Sequence, residues 1–201
     1  MNAIAMHTRD PAPVEPVGRR FPGNKGMWVG ITCELLEFLV LFVVYFVARA
    51  HFPLAFEEGA ERLSRISGTV ITLLMVTSSF FIACSVATMR AGKRRASIFW
   101  LIAGLLVALG YPVAKFLEIR WNLAHDINGE SGIFFTVYYY LTFNHLVHAI
   151  WGILGMLWVL TRHLAGGYSV EDHHGLEALA SYWHATDIIW LIIFSFFYVL
   201  A

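Results

Sequence analysis

The chain has 201 residues, of which 58% are hydrophobic and 14% are charged. An ordinary soluble domain is about 45–50% apolar and about 25% charged, so this composition excludes a disordered chain and argues against a soluble globular fold. The formal net charge is zero, and without a basic surplus the chain is not expected to bind nucleic acid. Its two cysteines, Cys33 and Cys84, form neither a CxxC motif nor a disulfide framework. The composition indicates a polytopic membrane protein.

Residues 1–25 are polar and contain four of the six prolines, which predicts an extended arm. Five apolar segments follow, at residues 27–48, 66–89, 96–114, 131–161 and 178–201. A helix needs about 20 apolar residues to cross the hydrocarbon core, and each segment is about this long or longer. Because backbone polar groups cannot stay unpaired in lipid, we expect these segments to be helices. The predicted fold is all-α, a polytopic membrane bundle of five transmembrane helices over residues 26–201.

Lysine and arginine are distributed unequally between the two sides of this predicted bundle. One side carries nine of them, in the arm and in two loops: Arg9, Arg19, Arg20, Lys25, Arg90, Lys93, Arg94, Arg95 and Arg162. The other side carries five: Arg49, Arg62, Arg65, Lys115 and Arg120. Because cytoplasmic segments of membrane proteins are enriched in these residues, we expect the N-terminus in the cytoplasm and the C-terminus outside.

Ionisable residues within or next to the apolar segments are the main functional signal, because a charge in hydrocarbon is costly and needs a compensating role. They occur as pairs spaced by three residues, which puts both members on one helix face. The pairs are Glu34/Glu37, Lys115/Glu118, His145/His148 and His184/Asp187.

The two pairs that contain glutamate allow different interpretations. Glu34 and Glu37 lie on one apolar face, where two carboxylates are not expected to ionise together, so at least one should be held protonated. This pair fits a site for protons or lipid headgroups, and it equally fits a buried acid bonded to a neighbouring helix. Lys115 and Glu118 are expected to form an ion pair at the outer end of the third helix, with Lys115 extending towards the interface.

The histidines also allow two interpretations. His145 or His148, together with His184, could ligate a haem iron axially and make the chain a bis-histidine haem redox protein. Alternatively, the histidines hydrogen-bond across helices. We favour the second and expect no metal site, because the segments contain neither the Glu-x-x-His pairs of a di-iron bundle nor a dense histidine cluster. A small transporter is a third class, supported only by the glutamate pair and weakened by the lack of a detectable inverted repeat.

Four stretches resemble the cytochrome c oxidase subunit III family. Residues 177–191, EALASYWHATDIIWL, resemble its last-helix signature E-A-x-x-x-Y-W-H-F-V-D-x-V-W-L. Phe134-Phe135, followed by HLVHAIWG at residues 145–152, resembles its F-F and H-G-x-H-V-x-x-G. Gly26-Met27 followed by Glu34 resembles G-M-x-x-F-I-x-S-E, and KFLE at residues 115–118 resembles K-x-x-E-Y. The match keeps the family's order and spacing from about residue 26 to residue 201.

The resemblance implies a subunit that has no catalytic residue and binds neither haem nor copper. Members of this family pack beside the catalytic subunit of a haem-copper oxidase in the respiratory chain, hold phospholipid in a cleft, and support proton uptake and durability of the oxidase. Glu34 occupies the position of the acid associated with that role. The polar residues that would fix the bundle are His148, Glu177, His184 and Asp187.

The chain departs from the family pattern in three respects. The standard subunit has seven helices and this chain lacks the first two, Glu37 replaces an aromatic residue, and Thr186 replaces a valine. The five-helix form resembles NorE-like members, which accompany nitric oxide reductases and other haem-copper oxidases. We therefore expect a non-catalytic multi-pass subunit or accessory protein of the inner (cytoplasmic) membrane, without a redox cofactor. Its expected partners are membrane lipids and the catalytic subunit of a haem-copper oxidase or nitric oxide reductase.

The charge distribution gives a testable topology. A reporter that is active only outside the cytoplasm should be active when fused after Ala201, because nine of the fourteen lysines and arginines lie on the opposite side. The same reporter inserted at residues 92–95 should be silent. Activity at the internal position, with silence at the C-terminus, would reverse the predicted orientation.

Overall fold

A computed structural model describes residue 23 and residues 25–200, and within this part the chain is almost entirely helical without β-strands. The helices are α1 (Lys25–His51), α2 (Pro53–Glu61), α3 (Arg65–Arg90), α4 (Arg94–Ala124), α5 (Ile133–Leu164) and α6 (His174–Phe194). A π-helical turn, Ser195–Val199, continues α6. Five of these helices are long and apolar enough to cross a membrane, which confirms the predicted all-α bundle. The arm predicted for residues 1–25 lies almost wholly outside the described residues.

The structure departs most from the sequence prediction at the end of α4 and at α2. α4 extends to Ala124, ten residues beyond the predicted segment end, because Lys115 and Glu118, the first charged residues after the apolar run, are paired inside the protein. The short helix α2 was not predicted. It begins with Pro53, whose fixed φ suits the first position of a helix. The ring of Phe56 attaches α2 to the bundle through edge contacts with Tyr45 and Phe134.

The helices differ in how much of their surface they bury. α3 and α4 lie closely together, and the Ser78 hydroxyl of α3 donates to the Gly104 carbonyl of α4 over 2.9 Å. α6 packs against α1, α3 and α5, and it buries Trp183 and Trp190 completely. α1 buries only one narrow stripe, which consists of Ile31, Glu34, Phe38 and Tyr45. Most of its remaining apolar surface is exposed and is suited to contact lipid or another subunit.

A buried polar cluster joins α4, α5 and the π-helical turn. The Lys115 ammonium donates to Glu118 Oε2 over 2.8 Å and to the Tyr138 hydroxyl over 2.9 Å. The Tyr198 hydroxyl donates to Glu118 Oε1 over 2.6 Å and lies 2.8 Å from the Tyr138 hydroxyl. Lys115 and Glu118 are only 1% and 2% exposed. The ion pair is therefore present as predicted, but the expectation that Lys115 extends towards the interface is wrong, because the ammonium is enclosed by the bundle.

Breaking this pair should destabilise the fold strongly. Lys115→Met leaves the Glu118 carboxylate buried without its cation, which should lower the free energy of unfolding by about 3–5 kcal/mol. Thermal unfolding followed by circular dichroism in detergent measures the loss. The exposed Arg120, on the same helix, supplies the control, and Arg120→Met should unfold within about 0.5 kcal/mol of wild type. A wild-type melting curve for Lys115→Met would contradict the structural role of the pair.

Candidate functional site

An elongated cleft lies between α1, α5 and α6. Its volume is about 650 Å³, within the range of small-molecule sites in proteins. One end contains Glu34, Glu37 and His148, and the other contains Arg162 and Tyr168. Five glycines and two tryptophans contribute to its walls: Gly26, Gly30, Gly152, Gly155, Gly175, Trp151 and Trp158. Gly30 faces open space, whereas Gly152 allows α5 to pack closely against Trp183 of α6.

Glu34 is buried at the polar end of this cleft. Its Oε1 accepts a hydrogen bond of 3.1 Å from the Thr186 hydroxyl of α6. Its Oε2 has no hydrogen bond within the described residues and lies 3.6 Å from His148 Nδ1. The carboxyl group is therefore held at one oxygen and faces an imidazole nitrogen with the other.

Glu37 lies one helical turn further along α1 and contacts the other side of the same imidazole. Its Oε2 is 3.2 Å from His148 Nε2, and its Oε1 accepts a hydrogen bond of 2.6 Å from the Asn144 amide. Asn144 and His148 are four residues apart on α5, so both lie on the helix face that is opposite Glu34 and Glu37 of α1. Glu34, His148 and Glu37, which we call the acid–histidine triad, are thus brought together by the antiparallel packing of these helices.

His145 lies on the same helix as His148 but turns into the core. Its Nε2 is 3.0 Å from the Thr186 carbonyl and its Nδ1 is 2.8 Å from the Tyr111 hydroxyl. Because a carbonyl can only accept, Nε2 carries the proton and Nδ1 accepts from Tyr111. Both ring nitrogens of His145 are therefore used, which agrees with the hydrogen-bonding interpretation of the histidines.

The other predicted polar residues lie elsewhere. His184 Nδ1 is 2.5 Å from the Ser79 hydroxyl of α3, and Asp187 is buried, with an Oδ1 that has no hydrogen bond in the described part of the chain. Glu177, in the first turn of α6, accepts two hydrogen bonds from the Arg90 guanidinium at 2.6 and 3.1 Å. Lys115 and Glu118 belong to the buried cluster described above. Within residues 25–200 no group of three or more His, Cys, Asp or Glu is arranged to hold a metal ion.

Three residues of the site had no role assigned from the sequence. Asn144 fixes Glu37, Thr186 fixes Glu34, and the Tyr182 hydroxyl donates to the His148 carbonyl over 3.2 Å. Asn144 stands four residues before His148, a spacing that gives one helix face and could have identified it. Thr186 was recognised only as a departure from the family pattern, and nothing in the sequence indicated that its hydroxyl meets a carboxylate of α1.

No protein-family profile matches this chain. Cytochrome c oxidase subunit 3 of Thermostichus vulcanus is 30% identical over 179 residues, which cover 87% of this chain and 86% of the relative. Cytochrome c oxidase subunit 3 of Synechocystis sp. is 28% identical over 181 residues, which cover 87% of this chain and 74% of the relative. A probable quinol oxidase subunit 3 of Staphylococcus aureus is 23% identical over 175 residues, 87% of each chain.

Each of these similarities covers 87% of the chain. The resemblance inferred from those motifs is confirmed by proteins that match along most of their own length. Because a relative that is 30% identical is matched over 86% of its length, this chain belongs to the cytochrome c oxidase subunit III family.

Proposed function

We propose that this chain is a non-catalytic membrane subunit of a haem-copper oxidase, which packs beside the catalytic subunit and supports its proton uptake and stability. The observation that carries this proposal is the similarity to cytochrome c oxidase subunit 3 over most of both chains. Five apolar helices make it a multi-pass membrane protein. The cytoplasmic membrane is its proposed location, because respiratory oxidases of bacteria work there.

An oxidase is a better candidate partner than a nitric oxide reductase. The relatives bear the names of cytochrome c oxidase and quinol oxidase subunits. The match covers 86% of the relative from Thermostichus vulcanus, so the length of this bundle is not peculiar to NorE-like accessory proteins. Nitric oxide reductase stays the alternative partner, which the co-purification experiment below distinguishes.

The proposal includes no redox centre in this chain. His145 would have to lose its bonds to Tyr111 and to the Thr186 carbonyl before it could ligate a haem iron. His184 would similarly have to release Ser79 if its Nδ1 were the ligand. These contacts support structural roles for the histidines and weigh against the bis-histidine haem alternative.

The cleft is the proposed binding site for membrane phospholipid. Its glycines and tryptophans form an apolar surface along the helix axes, which suits acyl chains. At the end away from the acid–histidine triad, the Arg162 guanidinium lies 5.2 Å above the Tyr168 ring and can bind a lipid phosphate. The headgroup would then lie at the helix ends and the chains would run towards Glu34.

Affinity purification of the tagged full chain from native membranes tests the proposed function. The chain should co-purify with a haem-copper oxidase catalytic subunit, and the chain expressed alone should lack a Soret band in its absorption spectrum. Recovery of a nitric oxide reductase would replace the oxidase as partner. A stoichiometric Soret band from the isolated chain, lost in His184→Ala, would overturn the proposal and support the haem protein.

Glu34→Gln should impair the partner enzyme without preventing assembly. Glutamine keeps the shape and can still accept from Thr186, so the complex should form with an unchanged haem spectrum. If Glu34 contributes as a general acid or base, proton uptake should fall, or the enzyme should inactivate faster during turnover, by about tenfold or more. Glu57→Gln, at an exposed position in α2, is the control and should behave as wild type. Wild-type uptake and lifetime in Glu34→Gln would make Glu34 a purely structural acid.

A further inference from the structure

We propose that the acid–histidine triad is a proton relay in which His148 passes a proton between the buried carboxyl of Glu34 and the half-exposed carboxylate of Glu37. The inference rests on the proposed function and specifies how a proton would reach Glu34. It assigns a role to Glu37, which replaces the aromatic residue of the family pattern.

The three side chains form a line from the interior to the surface of the bundle. The side chain of Glu34 is 2% exposed, that of His148 is 22% exposed and that of Glu37 is 46% exposed. The imidazole lies between the two acids, with Nδ1 3.6 Å from Glu34 and Nε2 3.2 Å from Glu37. A histidine can accept a proton at one nitrogen while it donates from the other, so this order suits transfer across the ring.

With one proton on Glu34 and one on His148, the contact of His148 with each of the two acids has a donor. A proton on Glu34 Oε2, the oxygen without a hydrogen bond, points at an unprotonated Nδ1 of His148. The proton on Nε2 then points at the Glu37 carboxylate. Transfer breaks the O–H bond of Glu34 and forms N–H at Nδ1, while N–H at Nε2 breaks and O–H forms on Glu37. No electron is transferred, and the negative charge moves from Glu37 to Glu34.

The relay ends at Glu34. Thr186 donates its only hydroxyl hydrogen either to Glu34 Oε1 or to the Tyr182 carbonyl. The Tyr182 hydroxyl, which also lies near Glu34, directs its hydrogen to the His148 carbonyl and leaves the imidazole ring free. His145, one turn away on α5, has both nitrogens occupied by Tyr111 and the Thr186 carbonyl. Within residues 25–200, the ion pairs of both carboxylates are made only with His148.

The open end of the relay is Glu37, which lines the cleft together with residues at the start of α1. From Gly26 to Glu37 the helix rises about 16 Å, so the cleft connects the middle of α1 with its end. Asn144 holds Glu37 in place from α5. Glu37 is the most exposed member of the triad, so a proton from outside the bundle reaches its carboxylate more readily than the buried carboxyl group of Glu34.

Hydrogen–deuterium exchange at Glu34 tests the relay. The full chain in lipid nanodiscs is transferred to D₂O, and infrared spectroscopy follows the C=O stretch of the protonated carboxyl group that disappears in Glu34→Gln. Glu37→Gln and His148→Gln should both slow exchange of this band by about tenfold or more, because an amide can keep hydrogen bonds but cannot pass the proton. Glu57→Gln, at an exposed position in α2, is the matched control and should exchange at the wild-type rate.

Two measurements make the result decisive. A carbodiimide reacts only with a protonated carboxyl group, and we expect Glu34 to react with it in Glu37→Gln as in wild type. Slow exchange in this variant then reports the loss of the transfer path, because Glu34 has kept its proton. An unchanged or faster exchange in Glu37→Gln, or the absence of any band assigned to Glu34, would overturn the relay. Co-purification with the oxidase is measured separately, so a complex that assembles but shows unchanged exchange would refute the relay and leave the proposed function intact.

Discussion

Lys115 and Glu118 are two opposite charges with almost no exposure, in a helix long and apolar enough to cross a membrane. In hydrocarbon no water can solvate them, so their position is stable only while each charge keeps a partner inside the protein. Two tyrosines complete the set, one from α5 and one from the turn that ends α6. Because these four side chains must meet, the depth of α4, α5 and the end of α6 relative to one another is fixed.

The same constraint acts at other levels of the bundle. His145 links α5 to Tyr111 of α4 and to the α6 backbone at Thr186. Further along α5, His163 lies 3.0 Å from the Ser97 hydroxyl of α4. α5 therefore has a polar contact at three separate depths, each of which permits only one register. In a membrane, where apolar surfaces have little preference for one another over lipid, such bonds determine the alignment of helices more than apolar area does.

The sequence predicted the spans correctly and the polar partners poorly, for a physical reason. Length and composition decide whether a segment crosses the membrane, and both are local properties. A three-residue spacing places two side chains on one face, but it does not identify the helix opposite. Lys115 and Glu118 bond to each other, whereas Glu34 and Glu37 both turn to one histidine of α5. His145 and His148 are separated by less than a turn, yet only His148 lines the cleft. The end of α4 was missed for the same reason, since the internal pairing of its charges is a tertiary property.

Glu34 and Glu37 lie on α1, which buries only one narrow stripe of its surface. α1 contacts the bundle through a stripe in which Glu34 alternates with Ile31 and Phe38, so an acid takes a position where an apolar residue would pack better. Glu34 keeps an oxygen without a hydrogen bond, and Glu37 stays half-exposed near the middle of α1. The free-energy cost of an incompletely paired acid in a membrane helix is tolerated at sites that serve a function beyond the fold. A carboxyl group that must gain and lose a proton cannot be locked by permanent donors on both oxygens. Glu34, with one unbonded oxygen, meets this condition of the proposed relay, whereas Glu118, whose two oxygens are both bonded, does not.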